Sequence, residues 1–185
     1  DLLFAGCINK YSDLKIAKTE AAKKYLESKC YQNIITISVG LDEVEKSLNP
    51  ELDKQIDDFQ KQYPNILLYI GAIEPRRNPD FLIEVIERLN RDDVGIVVIG
   101  TGVLKERLKS QIATTKRRKQ ILYYERISNN ELGSIYSRAN LFLLPTNYEI
   151  YGMVVMEALE NGVPVISTPE AGPAYILSEE MYGTC

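Results

Sequence analysis

The chain has 185 residues, 45% of them hydrophobic, with 22 basic against 26 acidic side chains and a net charge of −4. That is enough apolar material for one substantial core and a small appendage, and it offers no basic field to draw in nucleic acid. Histidine is absent, which excludes imidazole triads, HExxH zinc sites and imidazole general bases within these residues.

The first thirty residues, "DLLFAGCINKYSDLKIAKTEAAKKYLESKC", open on an apolar stretch and continue into a helix from about Thr19, with Glu20 in its first turn. "NIITISVGLD" follows as a strand. "EVEKSLNPELDKQIDDFQKQYPN" is polar and charged, broken by Pro50 and Pro64, and is expected to be a connection with helix inside it. Then short β-branched runs alternate with amphipathic ones. "ILLYIGAI", "VGIVVIG", "QILYYERI", "ANLFLLP" and "VPVISTP" read as strands, and their nearly continuous hydrophobicity predicts burial on both faces, as in a parallel sheet.

Helices fill the intervals. "NPDFLIEVIERLNRD" carries Phe81, Leu82, Val85, Ile86 and Leu89 at helical spacing, with Pro79 in the first turn. "VLKERLKSQIATTKRRK", "SNNELGSIYSRA" and "YGMVVMEALENG" are the others. Ser128 and Glu131 form a capping-box pair, and Gly162 is a helix stop. This alternation predicts a doubly wound parallel α/β sheet with right-handed crossovers, whose ligands sit beyond the carboxyl ends of the strands. "SEEMYGTC" brings no obvious closing element, so the chain is expected to be a fragment of something longer, its last domain truncated at the carboxyl end. Cys7, Cys30 and Cys185 are scattered and odd in number, which suggests a reducing compartment rather than a disulfide framework or metal knuckle. No apolar run approaches ~18 residues, so neither a membrane span nor an export signal is expected.

Three strand ends lead into loops able to face one ligand: Gly71 to Asn78, Gly100-Thr101-Gly102, and Thr146 to Gly152. Glycine at such junctions lets backbone amides approach an oxyanion, and a helix amino end attracts phosphate. Arg77 would neutralise a second phosphate. Glu149 in the loop and Glu157 two turns into the following helix would flank the ligand, each carboxylate accepting from neighbouring hydroxyls of a ribose or hexose. Every feature also has an ordinary reading: a tight turn for the GxG, a solvated helix entrance for Arg76 and Arg77, a dipole-favoured carboxylate for Glu149, an exposed helix residue for Glu157. "KRRK", Lys116 to Lys119, reads as a solvated turn or a weak contact to an anionic lipid or partner.

Taken in order, "GAIEPRRNPDFLIEV", "IVVIGTGVLKERLK", "RISNNELGSIYSRANLFLLPT" and "EIYGMVVMEALENGVPVIST" resemble the carboxyl-terminal, donor-binding half of retaining glycosyltransferases with the GT-B fold, of the group 1 or family 4 type. The last stretch carries that family's two glutamates with seven residues between them, ahead of a "G-x-P-V" strand. "DLKIAKTEAAKKYLE" and "ISVGLD" resemble the end of the acceptor domain and the junction between domains. The resemblance implies residues 1–42 as the end of an acceptor domain with its junction, and 43–185 as a Rossmann-like nucleotide-sugar-binding domain. It implies transfer of a sugar from a nucleoside diphosphate donor to a glycan or lipid-linked acceptor with retention and without a metal or other cofactor. Such a chain would lie in the cytoplasm, with at most peripheral contact at the inner face of the membrane, and would transfer poorly without its acceptor half.

By the same resemblance Glu157 binds the ribose, Glu149 contacts the donor sugar, amides around Tyr151, Gly152 and Met153 hold the phosphates, and Arg77 matches a phosphate-binding lysine. Gly71 belongs to the first loop, Gly100 and Gly102 flank the nucleotide, and the backbone at Arg126 and Ile127 meets the base. Ala72 stands where the family usually has arginine, leaving that contact missing or supplied by Arg76. Asn78 and Glu125 each replace a common glycine, Val39 an asparagine and Ala174 a glutamate. A non-catalytic nucleotide-sugar-binding module and a nucleotide-sugar epimerase of similar fold are the alternatives. A receiver-type phosphoacceptor domain is a weaker one, because it would want aspartates where these strands end in glycine and proline.

Overall fold

The computed structural model describes residues 2–37, 40–41, 47–169, 171–177 and 183–184. Residues 1–42 and 43–185 form two compact units. In the first, helix α1 (Leu2–Tyr11), strand β1 (Lys15–Ala17), helix α2 (Glu20–Ser28) and strand β2 (Ile34–Thr36) follow in order. The two strands pair in parallel. Thr19 caps α2, its hydroxyl accepting from the Ala22 amide at 3.1 Å, so the helix starts where the sequence predicts. Half of the junction motif, Val39 included, lies outside the described residues.

The second unit begins with α3 (Pro50–Gln62). Pro50, read from sequence as a breaker, instead occupies the first helical turn, where proline lacks nothing the helix needs, and the Asn49 side chain accepts from the Leu52 amide at 3.2 Å. There follow β3 (Asn65–Ile70), α4 (Asp80–Leu89), β4 (Val94–Ile99), α5 (Lys105–Thr114), β5 (Ile121–Tyr124), α6 (Asn129–Tyr136), β6 (Leu141–Leu144), α7 (Met153–Glu160), β7 (Val165–Ser167), α8 (Ala171–Ile176) and β8 (Gly183–Thr184). Among the described residues these strands form a six-stranded parallel sheet in the order β5-β4-β3-β6-β7-β8. Gly183 and Thr184, within "SEEMYGTC", pair with Val165 and Ile166 of β7.

Alternation along the strands explains their continuous hydrophobicity. Ile66, Leu68, Val97, Ile99, Phe142 and Leu144 pack on one face with Leu52 and Ile56 of α3, Leu132 and Ile135 of α6, and Val155 and Ala158 of α7. Leu67, Tyr69, Ile96, Val98 and Leu143 face the other way, against Leu82, Ile83 and Ile86 of α4 and Leu108 of α5. Each such side chain contributes about 1.5–3 kcal/mol by leaving water. On α4 the buried stripe is Leu82, Ile83 and Ile86, whereas Phe81 and Leu89 at its borders stay exposed. Gly162, at φ 74°, ends α7 as predicted: its amide donates to Leu159 at 2.9 Å and that of Val163 to Ala158 at 2.9 Å, the paired bonds of a Schellman motif. Strand order reverses between β3 and β6, which opens a crevice at their carboxyl ends.

Candidate functional site

The loops after β3 and β4 are laced together. The Gly71 amide donates to Ile99 (3.0 Å), Gly100 to Tyr124 (2.9 Å), Ile73 to Thr101 (3.0 Å) and Leu104 to Ile73 (3.0 Å). A Cβ on Gly100 would overlap the Gly71 carbonyl oxygen, and one on Gly102 would overlap the backbone of Ile73. These glycines are therefore required for the two loops to pack. The amides of Gly71 and Gly100 are thus both engaged within the protein.

At the crevice itself, the loop after β3 carries a 3₁₀ turn, Pro75–Arg77, ended by Asn78 at φ 47°. Asparagine tolerates this left-handed conformation better than other side chains, which accounts for its place where glycine is common. The Arg77 guanidinium Nη2 forms an ion pair with Glu149 Oε2, with only 11% and 12% of the two side chains exposed. Glu149 Oε1 accepts from the Tyr151 amide at 3.3 Å. That amide, assigned to phosphate by sequence, thus serves the glutamate here. Arg77 Nε and Nη1 are buried and have no hydrogen-bond partner among the described residues. Arg76 Nε donates to Glu74 at 3.0 Å and its Nη1 to the Tyr148 carbonyl at 3.3 Å.

Fully buried Thr146 ties the two loops together. Its hydroxyl lies 3.2 Å from the Arg76 carbonyl and 3.0 Å from that of Tyr148, while the Asn147 amide donates to Arg76 at 2.7 Å. Thr168 accepts from the Thr146 amide at 3.1 Å and donates back to its carbonyl. Beneath the first loop, the buried Tyr69 hydroxyl donates to Ala72 at 2.9 Å, and burial holds its pKa well above the phenol range.

Gly152, at φ 90°, turns the chain into α7 and its carbonyl accepts from the Val155 amide at 2.9 Å, so that Met153 and Val154 form the amino end of the helix. Gly172 presses on this turn: a Cβ there would come within 2.6 Å of the Tyr151 backbone. Glu157 lies further along α7, half-buried, and its Oε2 accepts from the Tyr136 hydroxyl at 3.0 Å. Nothing local in the sequence points to Tyr136; it reads as one more apolar position of the α6 stripe.

Arg126 and Ile127 line a cavity of about 460 Å³ with Asn49, Gln55, Tyr124 and Glu131. Its walls are fixed by the Tyr124 hydroxyl donating to Gln55 (2.9 Å), Asn49 donating to Glu131 (2.8 Å), and Glu131 accepting from the Ser128 amide (3.3 Å) in the predicted capping box. Next to it, Glu125 is held by Lys109 and Lys105, whose hydrogen bonds lower its pKa. In the "KRRK" turn, Arg117 is anchored to Asp92 (2.6 Å) and Gln120 (2.8 Å), and Lys116, Arg118 and Lys119 are exposed. Among the described residues no helix is long and apolar enough to cross a membrane.

Residues 52–185, most of the second unit, match the family described as Glycosyl transferases group 1. The chain belongs to that family. Among curated relatives, the 2-deoxystreptamine N-acetyl-D-glucosaminyltransferase of Niallia circulans is 31% identical over 114 residues, covering 60% of this chain and 29% of that enzyme. The sucrose-phosphate synthase of Thermosynechococcus elongatus superposes on 99% of this chain and 47% of its own, with a TM-score of 0.80 at 19% identity. The Anabaena protein Alr3699/HepE, crystallised with UDP and glucose, covers 96% of this chain and 50% of its own, with a TM-score of 0.74 at 18% identity. The doubly wound parallel architecture is thus that of known glycosyltransferases. The chain spans less than half the length of the curated relatives it matches.

Proposed function

We propose that residues 43–185 bind a nucleoside diphosphate sugar in the β3/β6 crevice and, within the whole protein, serve its transfer to a glycan or lipid-linked acceptor with retained configuration. The observation that carries this reading is Arg77, a buried cation with two unpartnered donors at the point where strand order reverses. Buried donors of a charged group call for an acceptor, and a diphosphate supplies several. The α7 amino end, through Gly152 and Met153, adds amides and a favourable dipole for the same anion. Glu149, oriented by Arg77 and the Tyr151 amide, takes the donor sugar; Glu157 takes the ribose; Gly71, Gly100 and Gly102 allow close approach; the backbone at Arg126 and Ile127 meets the base.

Departure of the diphosphate is then assisted by fixed positive charge and oriented dipoles from the chain's own residues, with no metal or other cofactor in the scheme. Family membership and the sugar-transferring relatives support this assignment. The chain alone is expected to bind donor yet transfer poorly, because these residues hold only the donor side. It works in the cytoplasm, with any membrane contact peripheral, through Lys116, Arg118 and Lys119.

Calorimetric titration with UDP, GDP and ADP, and then with their glucose conjugates, tests the reading. One nucleotide should bind with micromolar to submillimolar affinity, and Arg77→Ala should weaken it at least ten-fold. Absence of binding by all of them at millimolar concentration would refute the proposal.

A further inference from the structure

We infer that Tyr136 is a positioning residue for the nucleotide ribose: its hydroxyl, donated to Glu157 Oε2, fixes the carboxylate so that its remaining acceptor sites face the two vicinal hydroxyls of the sugar. This rests on the reading of Glu157 as the ribose-binding group.

Tyr136 is the last residue of α6 and is 2% exposed. Its ring is held by the core, stacked at a tilt on Phe142 with centroids 6.2 Å apart, so the hydroxyl has little freedom to look elsewhere. A buried phenol needs an acceptor, and here it takes a carboxylate from a different helix at 3.0 Å. Burial and the charge of Glu157 both push the Tyr136 hydroxyl far above the usual phenol range, so it keeps its proton and acts only as a donor. The helix that carries Glu157 is fixed as well: the Asn161 side chain and amide donate to the Glu157 carbonyl at 2.8 and 3.2 Å. Among the described residues Oε1 accepts no protein hydrogen bond. Tyr136 takes one acceptor site on Oε2, which leaves the second site of that oxygen and both sites of Oε1 for the two hydroxyls of a cis-diol. A glutamate without this anchor would sample several rotamers, and ordering it would be charged against binding.

The test compares UDP with 2′,3′-dideoxy-UDP, with the corresponding GDP and ADP pairs alongside, on the wild-type chain, Tyr136→Phe and Glu157→Ala. Wild type should prefer the ribonucleotide by about thirty-fold or more, and Tyr136→Phe should lower that preference by about five- to ten-fold, on the scale of a charge-assisted hydrogen bond. Binding of the dideoxy analogue should change less than two-fold. A loss of packing alone would weaken both nucleotides equally and leave their ratio intact. A preference that Glu157→Ala abolishes and Tyr136→Phe leaves unchanged would overturn the inference while sparing the ribose role of Glu157. Equal binding of both nucleotides by wild type would remove that role, and the inference with it.

Discussion

Replacing Glu149 by alanine should destabilise the second unit strongly, because it strands the Arg77 guanidinium. The side chains are 11% and 12% exposed, and Nε and Nη1 of Arg77 are already without partners. Removing Glu149 leaves Nη2 unpaired as well, in a place water barely reaches. Breaking a pair buried to this degree costs about 3–5 kcal/mol, most of it the desolvation of the charge left behind. With ~2–4 °C per kcal/mol for a domain of this size, the unfolding midpoint should fall on the order of 10 °C. Arg77→Ala should cost a comparable amount, since Glu149 would keep only the Tyr151 amide. The double variant should be much less destabilised than the sum, with a coupling of about 2 kcal/mol or more by urea unfolding, because each single change leaves a charge the other removes. Singles costing under about 1 kcal/mol and a coupling below about 0.5 kcal/mol would show that the two groups are solvated independently, and the case for a preorganised buried cation would fail.

Gly152→Ala should lower stability by about 1–2 kcal/mol, since φ 90° lies where an L side chain is strained; it should also weaken nucleotide binding, and an unchanged affinity by calorimetry would detach the α7 amino end from the anion. Gly95→Ala places a Cβ 2.7 Å from the Phe59 ring and 2.9 Å from Tyr63 Cβ; chemical denaturation should report a loss of about 1–3 kcal/mol from overpacking, without altered ligand preference. The Glu125 carboxylate has its pKa lowered in the folded chain by Lys109 and then Lys105. Its stabilising contribution is complete above the unfolded value of about 4.3 and disappears as pH falls through the lower folded value. Glu125→Gln should therefore melt below wild type at neutral pH and converge with it in acid, and a gap that persists at low pH would contradict the ion-pair assignment.

Much of the fold could be read directly because strands buried on both faces leave unbroken apolar runs, as β3, β4 and β6 do. β1 and β8 leave no such pattern, whereas the equally short β2 and β7 lie within longer apolar runs and are legible. Pro50 misled because its meaning depends on the cap before it, and Phe81 and Leu89 because helical spacing marks a face without saying how wide the covering neighbour is. In the site, Glu149, Arg77 and Gly152 were legible as types at strand ends. The partnership of the first two was not, since it depends on β3 and β6 lying side by side. The duties of Gly71 and Gly100 depend likewise on the register between β3 and β4, which places the carbonyl of one against the Cα of the other. Tyr136 meets Glu157 across 21 positions of chain, a distance at which side-chain identity carries no local signal.

The Thr146 clasp has a mechanical corollary. Because one buried hydroxyl and the neighbouring amide bind the 3₁₀ turn after β3 to the loop after β6, neither segment can be displaced without carrying its companion. Arg77 and Glu149 are thereby mounted on a common chassis. An anion bound at the crevice as proposed would meet cation and carboxylate at a preset spacing, and any adjustment to its size would have to come from elsewhere along the rim.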